Sequence, residues 1–186
     1  MKKIVFPAVI LAAFMLSSFP GITAEGDTSE QQELYAQNER KLPPMKNLIS
    51  ANMGTVPPAP WYTEATIIDV WASWCGPCRY QIPVLHELKR KYGVKLNIVG
   101  ISTDKDSSEH DKAIKEMHIT YPSCLASNKN NAQFLEALQN ATGQRISGIP
   151  HLVIADGSGN IVYANSGMLE REELERILSP LMNPKK

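Results

Sequence analysis

Cysteine is scarce in this chain, with three in 186 residues, too few for the disulfide framework that holds small secreted modules together. Net charge is absent as well: 19 Lys and Arg stand against 19 Asp and Glu, so no overall field exists to hold a polyanion, and nucleic acid is not an expected partner. No apolar run reaches the roughly 20 residues that a membrane-spanning helix needs; the longest, Ile4 to Phe19, falls short of it. Repeats with a period of roughly 20–50 residues are missing, which excludes solenoids and propellers. With 43% apolar and 20% charged residues the chain is neither disordered nor collagen-like, and its length fits one packed domain with extensions.

What is present starts with an export pattern. Lys2 and Lys3 precede the apolar run, and Pro20-Gly21-Ile22-Thr23-Ala24 follows it with a small residue at the expected cut, so residues 1–24 read as a secretory signal rather than an anchor. No cysteine follows the run, which excludes a lipoprotein anchor. The expected location is the periplasm, where disulfides form and any dithiol depends on its own redox partners. Residues 25–60 are polar and Pro-rich, read as a leader with one short helix in Ser29 to Leu42 and an extended approach punctuated by Pro43-Pro44 and Pro57-Pro58-Ala59-Pro60. The domain proper is expected over residues 61–183.

Within it, strands and helices alternate. Thr66 to Trp71 is short, β-branched and aromatic, as a buried strand should be. Ile82, Leu85, Leu88 and Tyr92 recur at helical spacing, so Cys75 to Tyr92 reads as one amphipathic helix, kinked at Pro83 and stopped at Gly93. Lys95 to Ser102 reads as a second strand, and Ser107 to His118 and Asn131 to Asn140 read as helices. His151 to Ala155 and Asn160 to Ala164 flank a Gly-rich turn as a hairpin, and Glu170 to Leu181 closes the chain as a helix with acids in its first turn. The fold class is α/β: a three-layer sandwich with a central mixed sheet flanked by helices.

The chemistry concentrates in Trp74-Cys75-Gly76-Pro77-Cys78, at the join between the first strand and the helix. Free N–H groups and the dipole at a helix start stabilise an anion, so Cys75 should ionise below the value of about 8.5 of a free thiol and act as nucleophile. Cys78, one turn on, can reach that sulfur from a more shielded position, and Pro77 stiffens the turn without losing a needed donor. This is the layout for thiol–disulfide exchange, which needs no prosthetic group. A zinc site would need a second ligand pair, and neither Cys124 nor the four scattered His residues supply one. Two thiolates suffice for a soft ion, so a copper-binding dithiol chaperone stays open as an alternative, as does a dithiol oxidase.

The stretch Asp69 to Arg79, DVWASWCGPCR, resembles the strand, motif and helix start of the thioredoxin superfamily, with Pro83 at the place of its helix proline and Ile149-Pro150 at the place of its cis-proline loop. The resemblance spans roughly Thr66 to Leu181. It implies the thioredoxin fold, with the Ile149-Pro150 loop lying against the cysteines and offering backbone to a bound substrate. It implies too that Asp69 is a buried acid behind the second cysteine, able to pass a proton to and from Cys78. The apparent signal, the added helical segment before Pro150, Ile119-Thr120-Tyr121-Pro122 and Gly148-Ile149-Pro150 resemble the exported oxidoreductases typified by TlpA and ResA. Two positions depart from that subfamily: Gln81 stands where many members carry Glu, and residues 41–60 give no evident β-hairpin.

The expected site is therefore Cys75, Cys78 and Asp69 as catalytic residues, with Trp74, Gly76, Pro77, Ile149 and Pro150 contacting substrate. Apolar Ile149 and the Gly-Pro dipeptide favour a reducing dithiol. The implied partners are disulfide-containing proteins and a membrane electron donor, with cytochrome c maturation or extracytoplasmic redox homeostasis as the setting. Trp71 and His151 are expected to be structural, His86, His110 and His118 to be solvated helix residues, and Cys124 to be a small buried hydrophobe.

Overall fold

In the computed structural model, residues 40–55 and 63–182 are described. The signal segment at 1–24 and most of the helix expected at Ser29 to Leu42 lie outside the described residues. Residues 40–42, the end of that expected helix, are extended instead. Lys41 bridges to Asn160, Leu42 N–H donates to Gly159 O at 2.9 Å, and Ile161 N–H donates to Arg40 O at 2.7 Å.

A seven-stranded sheet forms the centre, in the order β2-β1-β5-β4-β3-β6-β7. The strands are β1 (Ile49–Ser50), β2 (Gly54–Thr55), β3 (Ala65–Trp71), β4 (Leu96–Ser102), β5 (Ser123–Leu125), β6 (His151–Asp156) and β7 (Ile161–Ser166). Pairs β3–β4 and β4–β5 are parallel and the remaining pairs are antiparallel, which makes the sheet mixed. Among the described residues, four α-helices flank it: α1 (Gly76–Tyr92), α2 (Ser107–Glu116), α3 (Lys129–Thr142) and α4 (Arg171–Met182).

Strand β3 is buried along its whole length, so its alternating side chains feed two cores. Ala65, Ile67 and Trp71 pack against α1, α2 and α4 through Ile82, Leu85, Leu88, Ala113, Ile114, Leu174 and Leu178. On the other face, Ile68 and Val70 meet Phe134 and Leu138 of α3, together with Met45 and Leu48 from the segment before β1. That segment therefore straps the second face, running from the β6–β7 turn to the β5 edge.

Five expectations are corrected here. Residues 49–55 do form a hairpin, β1–β2, whose register is held by Asn52: its Nδ2 donates to Tyr121 O at 3.0 Å and its Oδ1 accepts from Ser50 Oγ at 2.6 Å. His110 is fully buried rather than solvated, because Ser123 Oγ lies 2.9 Å from Nε2 and the Trp71 ring lies against the imidazole at 5.6 Å. His86 is only half-solvated, its ring meeting the Tyr121 ring at 5.5 Å. Helix α2 ends at Glu116, which leaves His118 exposed beyond it with a positive φ of 51°. Helix α3 is longer than expected at both ends, starting from the Asn128 cap and stopping at Gly143, whose φ of 66° is the left-handed C-cap geometry.

Candidate functional site

Cys75 and Cys78 are joined by a disulfide at the start of α1. Cys75 is the N-cap residue, in extended conformation, and its Sγ accepts the Cys78 N–H at 3.2 Å. The same N–H would face a Cys75 thiolate after reduction, where a charge-assisted bond is stronger. The two sulfurs are not equivalent in access: Cys75 is 4% exposed and Cys78 is 0% exposed.

Around the pair, Gly76 and Pro77 are exposed, and Trp74 stands out at 69% exposure. The carbonyl oxygen of Ile149 lies 3.6 Å from Cys75 Sγ, the Ile149–Pro150 peptide is cis, and Pro150 O accepts Gly167 N–H at 2.8 Å. A depression of about 310 Å³ opens at Trp74, between Ser73, Trp74 and Arg79 on one side and Glu109, Lys112 and Glu116 of α2 on the other. Trp71, by contrast, is fully buried in the first core.

Asp69 sits on the same face of β3 as Trp71, completely buried, and burial raises its pKa from 3.8 to about 7 against the lowering effect of one hydrogen bond. That bond comes from Tyr121 Oη to Oδ2, at 3.2 Å. Tyr121 is itself held well above the usual phenol range by burial and by the neighbouring carboxylate, so it stays a donor.

Three residues near the site make contacts that the sequence did not assign: Asp104, and Gln81 and Tyr121, which it named only through the resemblance. Asp104 accepts from Ser73 N–H at 3.0 and 3.1 Å, from Ser73 Oγ at 2.8 Å and from Ser102 Oγ at 2.7 Å, which pins the turn two residues ahead of Cys75. Gln81 is buried and clips α1 to the chain before α4, donating to Leu169 O at 3.3 Å and accepting Leu169 N–H at 2.8 Å. Tyr121 reaches Asp69 across a sequence distance of 52 residues. Asp104 carried a weak signal, as the first acid after an apolar strand; the other two acquire their contacts only from long-range packing. Among the described residues no group of three or more His, Cys, Asp or Glu side chains converges as a metal site.

The comparisons with known proteins agree on the fold. The chain is 26% identical over 118 residues to the thioredoxin-like protein YneN of Bacillus subtilis, covering 62% of this chain and 64% of that protein. It is also 26% identical over 116 residues to the thiol:disulfide interchange protein HelX of Rhodobacter capsulatus, covering 62% and 60%. The chain thus spans less than two thirds of the length of either relative. A thiol:disulfide interchange protein from Chlorobium tepidum superposes with a TM-score of 0.65 at 22% identity, covering 76% of this chain and 95% of the other. The model of the thioredoxin-like family matches residues 63–161, more than half of the sequence, and the chain therefore belongs to the thioredoxin-like family.

Proposed function

We propose that the protein is an exported thiol–disulfide oxidoreductase that reduces protein disulfides. The observation that carries this reading is the Cys75–Cys78 pair at a helix N-terminus, with the outer sulfur facing the Cys78 N–H and the inner one shielded. In the reaction, the Cys75 thiolate attacks a substrate disulfide, a Cys75–substrate disulfide forms and the first substrate thiolate leaves. Cys78 then gives its proton to the Asp69 carboxylate and attacks Cys75 Sγ. The second substrate thiolate leaves as the Cys75–Cys78 disulfide closes, so the substrate gains two electrons and the pair loses them. Asp69 suits this task because a group titrating near neutrality can both take and return a proton at working pH.

Substrate chains would lie over Trp74, Gly76 and Pro77, with Ile149 and Pro150 along the other side. The signal pattern of residues 1–24 supports export to the periplasm, with residues 25–60 as leader and 61–183 as the working domain. Electrons would then come from a membrane protein carrying its own dithiol, and cytochrome c maturation is one process that consumes such reducing power.

The test uses Cys78→Ser in cells, where the resolving step is blocked. Substrates are expected to accumulate as mixed disulfides on Cys75, visible as species lost on adding reductant. Purified wild-type protein should reduce insulin, and its Cys75–Cys78 pair should be found mostly reduced in the cell. No trapped species and no insulin reduction would refute the exchange reading, and an oxidised steady state would reverse its direction.

A further inference from the structure

Asp69 and Gly100 are partners in the parallel register of β3 and β4. A Cβ placed on Gly100 would meet Trp71 Nε1 at 3.0 Å, Tyr121 Cε2 at 3.2 Å and Ser123 Oγ at 3.3 Å. A Cβ there would press on the Tyr121 ring, which lies across β4 to reach the carboxyl on β3, and the ring would have to give by a few tenths of an ångström. The ring is held there from several sides. Asn52 Nδ2 donates to Tyr121 O, Gly100 N–H donates to Pro122 O at 2.8 Å, and the His86 ring packs against the phenol.

The carboxyl at the end of this ring is asymmetric. Oδ2 accepts the Tyr121 hydroxyl, whereas Oδ1 has no hydrogen-bond partner among the described residues. The buried hydroxyl has no acceptor besides Asp69 among those residues, so its proton stays directed at Oδ2. We propose that Tyr121 is a positioning residue for the exchange reaction: by donating to Oδ2 it confines the proton that Asp69 takes and returns to Oδ1, with Gly100 as the opening through which it reaches. This rests on the exchange reading above and adds to it which atom carries the proton and what holds it there.

The other titratable groups packed round the pair are Cys75 and Cys78 from α1, His86 from α1 behind the phenol, and His110 from α2 behind Trp71, with Asp104 beyond it. Burial lowers both imidazole pKa values, for His86 with help from Arg90 and His118, so both rings are neutral at pH 7 and neither competes with Tyr121 for the carboxylate.

The experiment follows the Asp69 carboxyl carbon by NMR through a pH titration of the oxidised full-length chain, in wild type, Tyr121→Phe and Gly100→Ala. Tyr121→Phe keeps the ring and removes the donor to the charged form, so the Asp69 inflection should move up by about 1 pH unit. Release of substrate from the Cys75 mixed disulfide at pH 7 should slow by roughly 5- to 10-fold, because less Asp69 is ionised to receive the proton. Gly100→Ala should move the inflection the same way, and the double variant should move it no further than Tyr121→Phe alone. A purely structural Tyr121 would lower the unfolding midpoint and leave the inflection in place. An inflection unmoved in Tyr121→Phe overturns the assignment, and additive shifts in the double variant overturn the role of Gly100. The titration needs no substrate, so it stands apart from the exchange reading, which fails instead if wild type reduces no insulin.

Discussion

Asp69 is a residue whose burial has a pH-dependent consequence near neutrality. Its pKa is raised from 3.8 to about 7, so the folded protein holds a proton that the unfolded chain has already released in between. Its contribution to stability is therefore complete below about pH 4 and is lost as pH rises through about 7. Asp69→Asn should be more stable than wild type at pH 8, by on the order of 4 kcal/mol, with the difference closing below pH 4; urea unfolding at both pH values measures it. Cys124 is the opposite case, a thiol that burial pushes up to about 12. It should take up iodoacetamide at pH 8 only when the chain is unfolded, whereas labelling of the native oxidised protein would contradict the packing. At this scale the sequence was a good guide where a residue's own neighbours decide its setting. Asp69, flanked by apolar β-branched residues, read as buried. His110, flanked by Glu and Asp, read as solvated, because its partners Ser123 and Trp71 lie outside its local stretch.

At the scale of elements, α1 is fixed at two points in its N-terminal half. The Cys75 cap sets its start, and Gln81 ties it to Leu169 ahead of α4 with one donated and one accepted hydrogen bond. An amide serves this clip because Leu169 offers both an acceptor and a donor. A carboxylate could accept the N–H but would set its charge against the Leu169 carbonyl oxygen, fully buried. Gln81→Glu should accordingly lose about 2 kcal/mol of stability at pH 7, most of it recovered below pH 5, where the introduced carboxyl is protonated and can donate again. A stability difference between Gln81→Glu and wild type that stays the same at pH 4 and pH 7 would show that the amide donor matters little. The elements that the sequence made legible are those with periodic apolar faces or turn residues: β3, α1, the β6–β7 hairpin and α4. The β1–β2 hairpin was not, since strands of two residues are too short to display a period, and its register depends on Asn52 reaching Tyr121 and Ser123 far along the chain.

Over the whole molecule, one sheet separates two cores that do different work. The first core carries Cys75, Cys78, Trp71 and Leu85, so packing changes there are expected to move both stability and thiol chemistry. The second is closed by the strap, with Met45 and Leu48 buried against Val99, Ile101 and Phe134 on the side away from the disulfide. The Pro-rich leader looked featureless in sequence because Met45 and Leu48 form no amphipathic pattern; only the finished sheet gives them a surface to cover. Leu48→Ala removes a fully buried side chain and should cost about 2–5 kcal/mol in urea unfolding. The site gains its geometry from the Cys75 cap, the Asp104 bonds to Ser73 and the Ile149 carbonyl, none of which passes through the strap. Insulin reduction by Leu48→Ala under conditions where it stays folded should thus match wild type within about 2-fold, and the Cys75–Cys78 reduction potential should not move. A shifted potential with an intact fold would mean that the two faces communicate, through β3, β4 and β6, which feed both cores, or through Ile149, which packs against both.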